Sequence, residues 1–307
     1  MICHVGHACF VLSTFAVGGT VVLGRSPGAG VAAAAVAEHR VTALWAGSPA
    51  MMAAFDAAVD ASGADIESLT VAVFGWGAVP PEVYDRLRKH APNLRLMGIF
   101  GQTETIACHR FWPSRWEELY RATSPATNYV GAPSAMLASK IVDIDGTSLE
   151  RQVDEPGEAV YRSPTVTAGY YRDEAATRFA FEGGWFHSGD SCRFDENGLR
   201  IMVDRFKDIV KTGGENVSSL RVEAVVVSHP AVEKVAVIGV PDERWGESVT
   251  AVVVPAEGAE IIEADIIGYA RARLAGFETP KAVIVTDALP ETVGGKVLKY
   301  KLRQAFA

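Results

Sequence analysis

Alternation of helical and strand-like segments between residues 32 and 101 constrains the fold of this chain more than any other feature. The strand-like segments are VTALWAG, LTVAVFGWG and LRLMGIFG, and the helical ones are AAAAVAEHR, SPAMMAAFDAAVD and PPEVYDRLRKHA. In the second helix, Ser48 suits the N-cap and Pro49 the first position. Strands that alternate with helices form parallel sheets, which bind ligands at the carboxyl ends of the strands. We therefore expect an α/β fold with a mostly parallel sheet.

The pattern changes twice further along the chain. After residue 125, short segments such as ASKIVDIDG, GEAVYRSP and GLRIMVDR are separated by Gly, Pro and Asp, which predicts a small antiparallel or barrel-like β subdomain. From about Asp204, two helical and three strand-like segments predict a compact α+β module of roughly 100 residues. The sequence thus predicts a large domain over residues 1–204 and a small mobile domain over 205–307, with a hinge near Asp204–Lys207.

Composition excludes some classes of protein. The formal charge of −8 argues against nucleic-acid binding, which needs a basic surface. The four cysteines form no CxxC pair, which favours a reducing, cytoplasmic location. The apolar start, MICHVGHACFVLSTF, lacks the basic region of a signal peptide, and its histidines argue against a membrane anchor. We expect a buried helix there, followed by a strand at GGTVVL.

Four loops carry residues suited to nucleotide chemistry: FGQTET, GGWFHSGD, DRFKDIVKTGGENVSS and PETVGGKVLK. A hydroxyl and a carboxylate after a parallel strand suit a phosphate and Mg²⁺, and an Asp on a turn suits a ribose diol. Taken separately, each loop also has an ordinary explanation. These are a helix cap, a turn aspartate, a charged linker, and a hairpin turn with a solvated lysine.

Taken together, the loops resemble the adenylate-forming superfamily of acyl-CoA synthetases, luciferases and nonribosomal adenylation domains. FGQTE matches its aromatic-Gly-x-Thr-Glu motif, GWFHSGD its Gly-Trp-x-x-Thr-Gly-Asp motif, DRFKDIVKTGGENVSS its hinge motif, and PETVGGKVLK its terminal lysine motif. GWGAVPPEV is similar to the adenine-lining segment. The segment TGGENVSS resembles that of CoA ligases of fatty and other carboxylic acids more than that of nonribosomal adenylation domains.

The resemblance implies roles for the nucleotide site. Glu104 would hold Mg²⁺, Thr103 would contact the α-phosphate, and Lys296 would place positive charge on that phosphate during adenylation. Catalysis would thus rest on Lys296, Glu104 and Thr103. The implied nucleotide-binding residues are Gly75, Trp76, Gly77, Phe100, Gly101, Thr103, Asp190, Arg205 and Lys296, with Asp190 and Arg205 on the ribose.

It also implies roles outside the nucleotide site. Lys207 would be the hinge of the small domain. Lys211, Gly213 and Gly214 would line the tunnel for the pantetheine arm of coenzyme A, where Gly214 leaves room. The acyl pocket would include His4, Trp76 and Ile106. Trp76 stands where a glycine is usual in the family, and its bulk would shorten that pocket.

The implied function is an ATP-dependent acid–thiol ligase with ATP, Mg²⁺ and coenzyme A as cofactor and co-substrates and a small carboxylic acid, expected to be a fatty acid, as substrate. The 307 residues contain no Ser/Thr-Gly-rich loop ending in Pro-Lys-Gly, which wraps the β,γ-phosphates in this family. We therefore expect a family member without the first part of its large domain, impaired in adenylation and self-associating through exposed apolar surface. It would be a fragment, a mis-called start, a degraded gene or half of a split enzyme. The alternative function is a non-catalytic remnant that binds nucleotide or a partner chain. A GxGxxG dehydrogenase motif is absent.

Overall fold

The computed structural model describes residues 7–24, 28–150, 152–292 and 296–306. The chain forms two compact units. The first comprises Met1–Ser188 and Cys192–Met202, and the second comprises Gly189–Ser191 and Val203–Ala307.

The main sheet of the first unit has the order β1-β2-β3-β4-β5. Its strands are β1 (Ala43–Gly47), β2 (Val71–Phe74), β3 (Arg95–Gln102), β4 (Ile106–Phe111) and β5 (Ala132–Pro133). β1, β2 and β3 pair in parallel, whereas β4 and β5 pair antiparallel to their neighbours. The mostly parallel sheet expected from the alternating pattern is therefore confirmed. The antiparallel strand after FGQTET was not expected.

The first unit has six α-helices in its described part, of which the second, third and fourth contribute to the buried core of this sheet. They are α1 (Ser13–Ala16), α2 (Ala29–His39), α3 (Pro49–Ser62), α4 (Pro81–His90), α5 (Glu117–Thr123) and α6 (Glu174–Ala180). The predicted cap of α3 is confirmed, because the Ser48 hydroxyl accepts from the amide of Met51 at 3.2 Å. Apolar side chains spaced three or four apart, such as Met52, Phe55 and Val59, pack into one buried cluster with residues of the strands.

At the start of the described chain the expected helix forms, but residues 10–16 are not buried and the expected strand is absent. A π-helix (His7–Leu12) leads into the short helix α1, and residues 19–24 form no strand. Phe15 and Leu23 are 60% and 65% exposed. The segment is apolar, but an apolar run becomes a strand only where a neighbouring strand accepts its hydrogen bonds.

A second sheet of the first unit has the order β6-β7-β8-β9. Its strands are β6 (Ala138–Val142), β7 (Gly157–Arg162), β8 (Phe186–Phe194) and β9 (Arg200–Arg205). β6 and β7 pair antiparallel, with Ile141 opposite Ala159. Short antiparallel strands were expected here, and this prediction is confirmed. Residues 189–191 of β8 and 203–205 of β9 are grouped with the second unit.

The second unit packs helices on a sheet with the order β11-β10-β13-β12, in which β14 also pairs with β13. The strands are β10 (Val210–Thr212), β11 (Glu215–Val217), β12 (Val232–Asp242), β13 (Gly246–Pro255) and β14 (Ala282–Val285), and the helices are α7 (Ser219–Val226), α8 (Glu263–Arg271) and α9 (Lys299–Phe306). One face buries residues such as Val237, Val253 and Ile266. The other buries Ile238, Val252 and Leu302. The predicted α+β character is confirmed.

Within the described ranges, none of the helices combines the length and the apolar character that crossing a membrane requires.

Candidate functional site

The first group of candidate residues lies where the parallel strands of the first unit end. The segment Gly75–Gly77 follows β2, and the amide of Gly75 donates to the carbonyl of Gly47, at the end of β1, at 2.9 Å. A Cβ atom at Gly75 would lie 3.3 Å from the carbonyl oxygen of Ile99 on β3. A side chain at this position would thus press on the neighbouring strand, so the glycine keeps the strand ends close together.

Trp76 occupies a backbone conformation that favours glycine, with φ of 65°. Its indole meets that of Trp45 edge-on, with ring centroids 5.9 Å apart, and Trp45 stacks on Phe10 at 4.8 Å. The left-handed conformation explains physically why a glycine suits this position. Trp76 is 43% exposed, so its ring adds an aromatic wall beside the strand ends.

Thr103 and Glu104 lie in the tight turn of the hairpin between β3 and β4. The amide of Thr105 donates to the carbonyl of Gln102 at 3.1 Å, and Gln102 pairs with Ile106 across the hairpin. Ile106 has φ of 59°, an uncommon conformation for a β-branched residue. Thr103 is exposed and Glu104 is half-buried, so both can reach a ligand at the end of the sheet.

Phe100 and Gly101 precede this turn, and the pairing register shifts between them. A bulge of this kind re-aims the side chains that follow it. The Phe100 ring lies 5.8 Å from the ring of His109 on the partner strand. The bulge therefore separates a packed aromatic residue from the polar turn.

The carboxylate of Glu104 accepts a hydrogen bond from the hydroxyl of Tyr170 at 3.0 Å. The carbonyl of Glu104 accepts from the amide of Thr167 at 2.7 Å. Burial, followed by the hydrogen bond and the negative charge of Glu104, raises the pKa of Tyr170, so this phenol stays a donor at neutral pH. Sequence reasoning missed Tyr170, which lies in the segment GYYRDEAATRF.

Asp190 and Arg205 form an ion pair in the second unit. Asp190 is 2% exposed, and its Oδ1 lies 3.1 Å from Nε of Arg205. Asp190 lies on β8 and Arg205 ends β9. A buried carboxylate held by a guanidinium is fixed in direction, which suits an acceptor for sugar hydroxyls.

Lys296 lies on the second strand of a small hairpin that precedes α9. The amide of Thr292 donates to the carbonyl of Lys296 at 2.9 Å, and the amide of Leu298 donates to the carbonyl of Pro290 at 2.7 Å. The Gly-Gly pair before Lys296 lies outside the described residues. The hairpin explains how a lysine close to the end of the sequence is presented from an ordered backbone.

The ammonium of Lys296 lies in a charged cluster of the second unit. Partial desolvation, followed by the positive charges of Arg205 and Lys207, lowers the pKa of Lys296, while Asp190 and Asp208 act in the opposite direction. Three neighbouring cations repel one another, and an anion that binds among them relieves this repulsion and is stabilised. The structure therefore brings Asp190, Arg205, Lys207 and Lys296 together.

Lys211, Gly213 and Gly214 belong to the hairpin between β10 and β11. Gly213 and Gly214 have φ of 60° and 86°, as two-residue hairpin turns require. A Cβ at Gly213 would lie 3.0 Å from the Trp245 ring, whereas a Cβ at Gly214 would have nothing within 4 Å. The amide of Lys211 donates to the Glu247 carboxylate at 2.6 Å. Gly214 is therefore exposed and lies beside open space.

A buried polar network underlies α7. Asp204 accepts from the amide and hydroxyl of Ser219 at 2.6 and 2.7 Å, which caps the helix. Lys299 donates to the Ser219 hydroxyl at 2.6 Å and pairs with Glu223 at 2.7 Å. Glu223 also accepts from the amide of Val237 at 2.7 Å, and burial raises its pKa despite the ammonium of Lys299. Sequence reasoning missed Lys299 and Glu223, because these contacts join distant segments.

Among the sequence-predicted residues, those of the first unit gather at the strand ends, and those of the second form the charged cluster and the glycine hairpin. His4, predicted for the acyl pocket, lies outside the described residues.

Comparison with known proteins identifies relatives across nearly the whole chain. The family model for AMP-binding enzymes matches residues 1–171, and the model for the AMP-binding enzyme C-terminal domain matches residues 221–296. A feruloyl-CoA synthase from Amycolatopsis is 36% identical over 301 residues, which are 98% of this chain and 59% of that protein. The medium/long-chain-fatty-acid–CoA ligase FadD8 from Mycobacterium tuberculosis is 33% identical over 311 residues, covering 99% of this chain and 52% of that protein.

Solved structures give the same result. The amide bond synthetase McbA from Marinactinospora thermotolerans superposes with a TM-score of 0.82 at 32% identity, covering 95% of this chain and 57% of that one. The o-succinylbenzoate CoA synthetase MenE from Bacillus subtilis, in complex with ATP and magnesium ion, gives 0.82 at 26% identity, covering 97% and 59%. The chain thus spans a little over half the length of these relatives. The matched models, the relatives and the superposed structures agree that this chain belongs to the AMP-binding enzyme family.

Proposed function

We propose that this chain carries out the chemistry of an acid–thiol ligase. A carboxylate oxygen attacks the α-phosphorus of ATP, which forms acyl-AMP and releases pyrophosphate. The thiolate of coenzyme A then attacks the acyl carbon, which forms the thioester and releases AMP. The named relatives that are CoA ligases support this proposal, and the domain division at residue 204 is part of it.

The observation that carries the proposal is the cation cluster around Lys296. Its ammonium lies with Arg205 and Lys207 in a setting that lowers its pKa and favours a bound anion. During attack on an α-phosphate, negative charge grows on the phosphate oxygens, and a fixed cation stabilises that charge more than the ground state. Lys296 would hold this position in adenylation, and Lys207 would be the hinge on which the small domain turns.

Asp190 is proposed to bind the ribose. Its carboxylate is buried and anchored by Arg205, so it can accept from sugar hydroxyls without turning away. Gly75, Trp76 and Gly77 would line the adenine site, with Phe100, Gly101 and Thr103 at the neighbouring strand end.

Glu104 is the residue that would hold Mg²⁺. The described part of the chain has no group of three or more His, Cys, Asp or Glu side chains able to hold a metal ion. One half-buried carboxylate fits Mg²⁺, which is commonly bound by one or two carboxylates and the phosphates of its substrate. The ion would neutralise phosphate charge, and Glu104 would orient the complex at the strand end.

The acid is proposed to enter beside Trp76 and Ile106, and the pantetheine arm to pass Lys211, Gly213 and Gly214. The relatives act, by name, on ferulate, 4-hydroxybutyrate and medium- or long-chain fatty acids. Acids and adenylates of these three kinds form the substrate panel for the tests below.

The test compares Lys296→Ala with Lys301→Ala, a control that removes an exposed lysine of α9. Every variant whose pyrophosphate exchange is measured is made in a version of the protein extended by the phosphate-binding loop, because adenylation is expected to be impaired without that loop. Carboxylate-dependent pyrophosphate exchange reports adenylation, and thioester formation from supplied acyl-AMP and coenzyme A reports the second step. Lys296→Ala is expected to slow exchange by about 10²–10³-fold, the usual effect of removing one group that stabilises developing charge. Thioester formation is expected to change by less than about tenfold.

Lys301→Ala is expected to leave both rates unchanged. Equal loss of both half-reactions in Lys296→Ala, or unchanged exchange, contradicts the role proposed for this lysine.

A further inference from the structure

We propose that Tyr170 is a positioning residue for Mg²⁺ binding, through the hydrogen bond that its hydroxyl donates to Glu104. This inference rests on the proposed function, because it takes Glu104 as the residue that holds the ion. The hydrogen bond joins Tyr170 to the Oε1 atom of Glu104 at 3.0 Å and spans 66 positions of the sequence.

The hydrogen bond occupies only one of the two carboxylate oxygens of Glu104. Oε1 of Glu104 accepts from the phenol, which restrains the carboxylate and leaves Oε2 for the ion. A carboxylate on a tight turn is otherwise free to rotate, and ordering it on binding costs free energy. Residues that orient a metal-binding carboxylate lower this cost, and their loss typically weakens metal affinity about 10–100-fold.

The backbone of Tyr170 is fixed independently of its hydroxyl. Its amide donates to the hydroxyl of Thr177 in α6 at 2.9 Å, and the Thr177 hydroxyl donates to the carbonyl of Asp173 at 2.7 Å. Asp173 caps α6 by accepting from the amide of Ala176 at 2.9 Å. The first turn of the helix therefore holds Tyr170 in place.

Close packing before Tyr170 adds to this restraint. Gly169 has φ of 145°, and a Cβ there would lie 2.6 Å from the methyl of Thr177. Only glycine fits between the loop and the helix. The amide of Thr167 meanwhile donates to the carbonyl of Glu104 at 2.7 Å, so the loop stays attached to the turn even without the phenol hydroxyl.

This arrangement allows a clean substitution. Tyr170→Phe removes one oxygen atom and keeps the ring, the loop and the backbone hydrogen bonds. Tyr171→Phe is the matched control, because the adjacent tyrosine is 86% exposed while Tyr170 is 38% exposed. Thermal unfolding of both variants, followed by circular dichroism, checks that they remain folded.

The first measurement uses Mn²⁺ as the probe and does not depend on turnover. Electron paramagnetic resonance detects free Mn²⁺ in titrations of the protein with α,β-methylene-ATP. Tyr170→Phe is expected to weaken Mn²⁺ binding in this complex about tenfold. Tyr171→Phe is expected to match the unsubstituted chain.

The second measurement is the Mg²⁺ dependence of pyrophosphate exchange. Tyr170→Phe is expected to raise the Mg²⁺ concentration for half-maximal rate, while the rate at saturating Mg²⁺ stays within about twofold, because a positioning residue acts on binding. Replacing a residue that only stabilises the fold would not raise the half-maximal Mg²⁺ concentration while leaving the rate at saturating Mg²⁺ unchanged.

Glu104→Gln distinguishes failure of this inference from failure of the proposed function. Loss of Mn²⁺ binding in Glu104→Gln with normal binding in Tyr170→Phe overturns the role of Tyr170 alone. Normal Mn²⁺ binding in both variants overturns the assignment of Glu104 itself. Equal weakening in Tyr170→Phe and Tyr171→Phe also overturns the inference, since the exposed phenol has no bond to Glu104.

Discussion

His109 shows how the first unit buries a titratable side chain between its two sheets. It lies on β4 and is fully buried, and Nε2 accepts from the Arg200 guanidinium, with Nη1 of Arg200 at 2.9 Å. Burial, followed by the positive charge of Arg200, lowers the pKa of His109 to about 2. The imidazole is therefore neutral in the folded protein at neutral pH and well below it.

This pKa predicts a pH dependence of stability. The unfolded chain binds a proton at His109 below pH 6.5, and the folded chain does not until about pH 2. Stability is therefore lost as pH falls through this window, by up to about 1.4 kcal/mol per pH unit from this one group. Urea unfolding between pH 4.5 and 7.5 measures the free energy. In His109→Gln, the slope of the free energy of unfolding against pH is expected to be lower by the contribution of one proton. Equal slopes for the two proteins would contradict the lowered pKa of His109.

Trp76 illustrates what single residues reveal in the sequence and what they do not. Its departure from the family glycine is visible in the sequence, but its φ of 65° and its contact with Trp45 are not. Tyr170 lies in the segment GYYRDEAATRF, but its contact with Glu104 depends on how two loops meet in space. Hydrogen bonds between residues far apart in sequence follow from the fold and have no local pattern.

At the scale of elements, the glycine hairpin between β10 and β11 gives a testable role for coenzyme A. Gly214→Leu is expected to raise the KM for coenzyme A in thioester formation at least about tenfold and to leave pyrophosphate exchange nearly unchanged, because the side chain enters the proposed pantetheine path. Steady-state kinetics with supplied acyl-AMP measure this.

Gly214→Ala is the matched control for this prediction. It carries the same backbone strain at φ of 86°, about 1–2 kcal/mol, but its Cβ meets nothing within 4 Å. The KM for coenzyme A should therefore stay close to that of the unsubstituted chain. A KM for Gly214→Leu that equals the KM for Gly214→Ala would show that the hairpin does not line the path.

The network beneath α7 predicts a large effect on the stability of the second unit. Lys299→Met leaves Glu223 buried without its cation and is expected to lower the free energy of unfolding by about 3–5 kcal/mol. Glu223→Gln keeps an acceptor for the Val237 amide but carries no charge. The variant that combines Lys299→Met with Glu223→Gln has no unpaired buried charge. Its free energy of unfolding in urea is therefore expected to exceed that of Lys299→Met by at least about 1 kcal/mol. A double variant that is less stable than Lys299→Met would contradict this account.

The sequence largely predicted which segments form helices and which form strands, but it did not predict which strands pair with each other. The cap at Ser48, the apolar spacing in α3 and the valine-rich strands of the second unit follow local rules that the structure obeys. Residues 19–24 are as apolar as a strand, but they have no pairing partner and form none. The strand β4 follows the turn at Glu104 and has only weak sequence signals, so the hairpin that positions Glu104 could not be predicted.

At the scale of the whole molecule, self-association stays a prediction. Large apolar side chains near the start of the described chain are exposed, among them Leu12, Phe15, Val17 and Leu23. Exposed apolar surface promotes association, so the mean mass in sedimentation equilibrium is expected to rise with concentration. Phe15→Ser with Val17→Ser is expected to reduce this rise. A monodisperse monomer over the same range of concentration would contradict it.

A chain that handles acyl-adenylates should complete the second half-reaction, in which coenzyme A attacks the acyl-adenylate. The purified chain is incubated with coenzyme A and, in turn, feruloyl-AMP, 4-hydroxybutyryl-AMP and a medium-chain acyl-AMP, and thioester and AMP are quantified by chromatography. Thioester and AMP are expected in equal amounts from at least one adenylate, at a rate that depends on the amount of protein. No protein-dependent thioester from any of the three would contradict it.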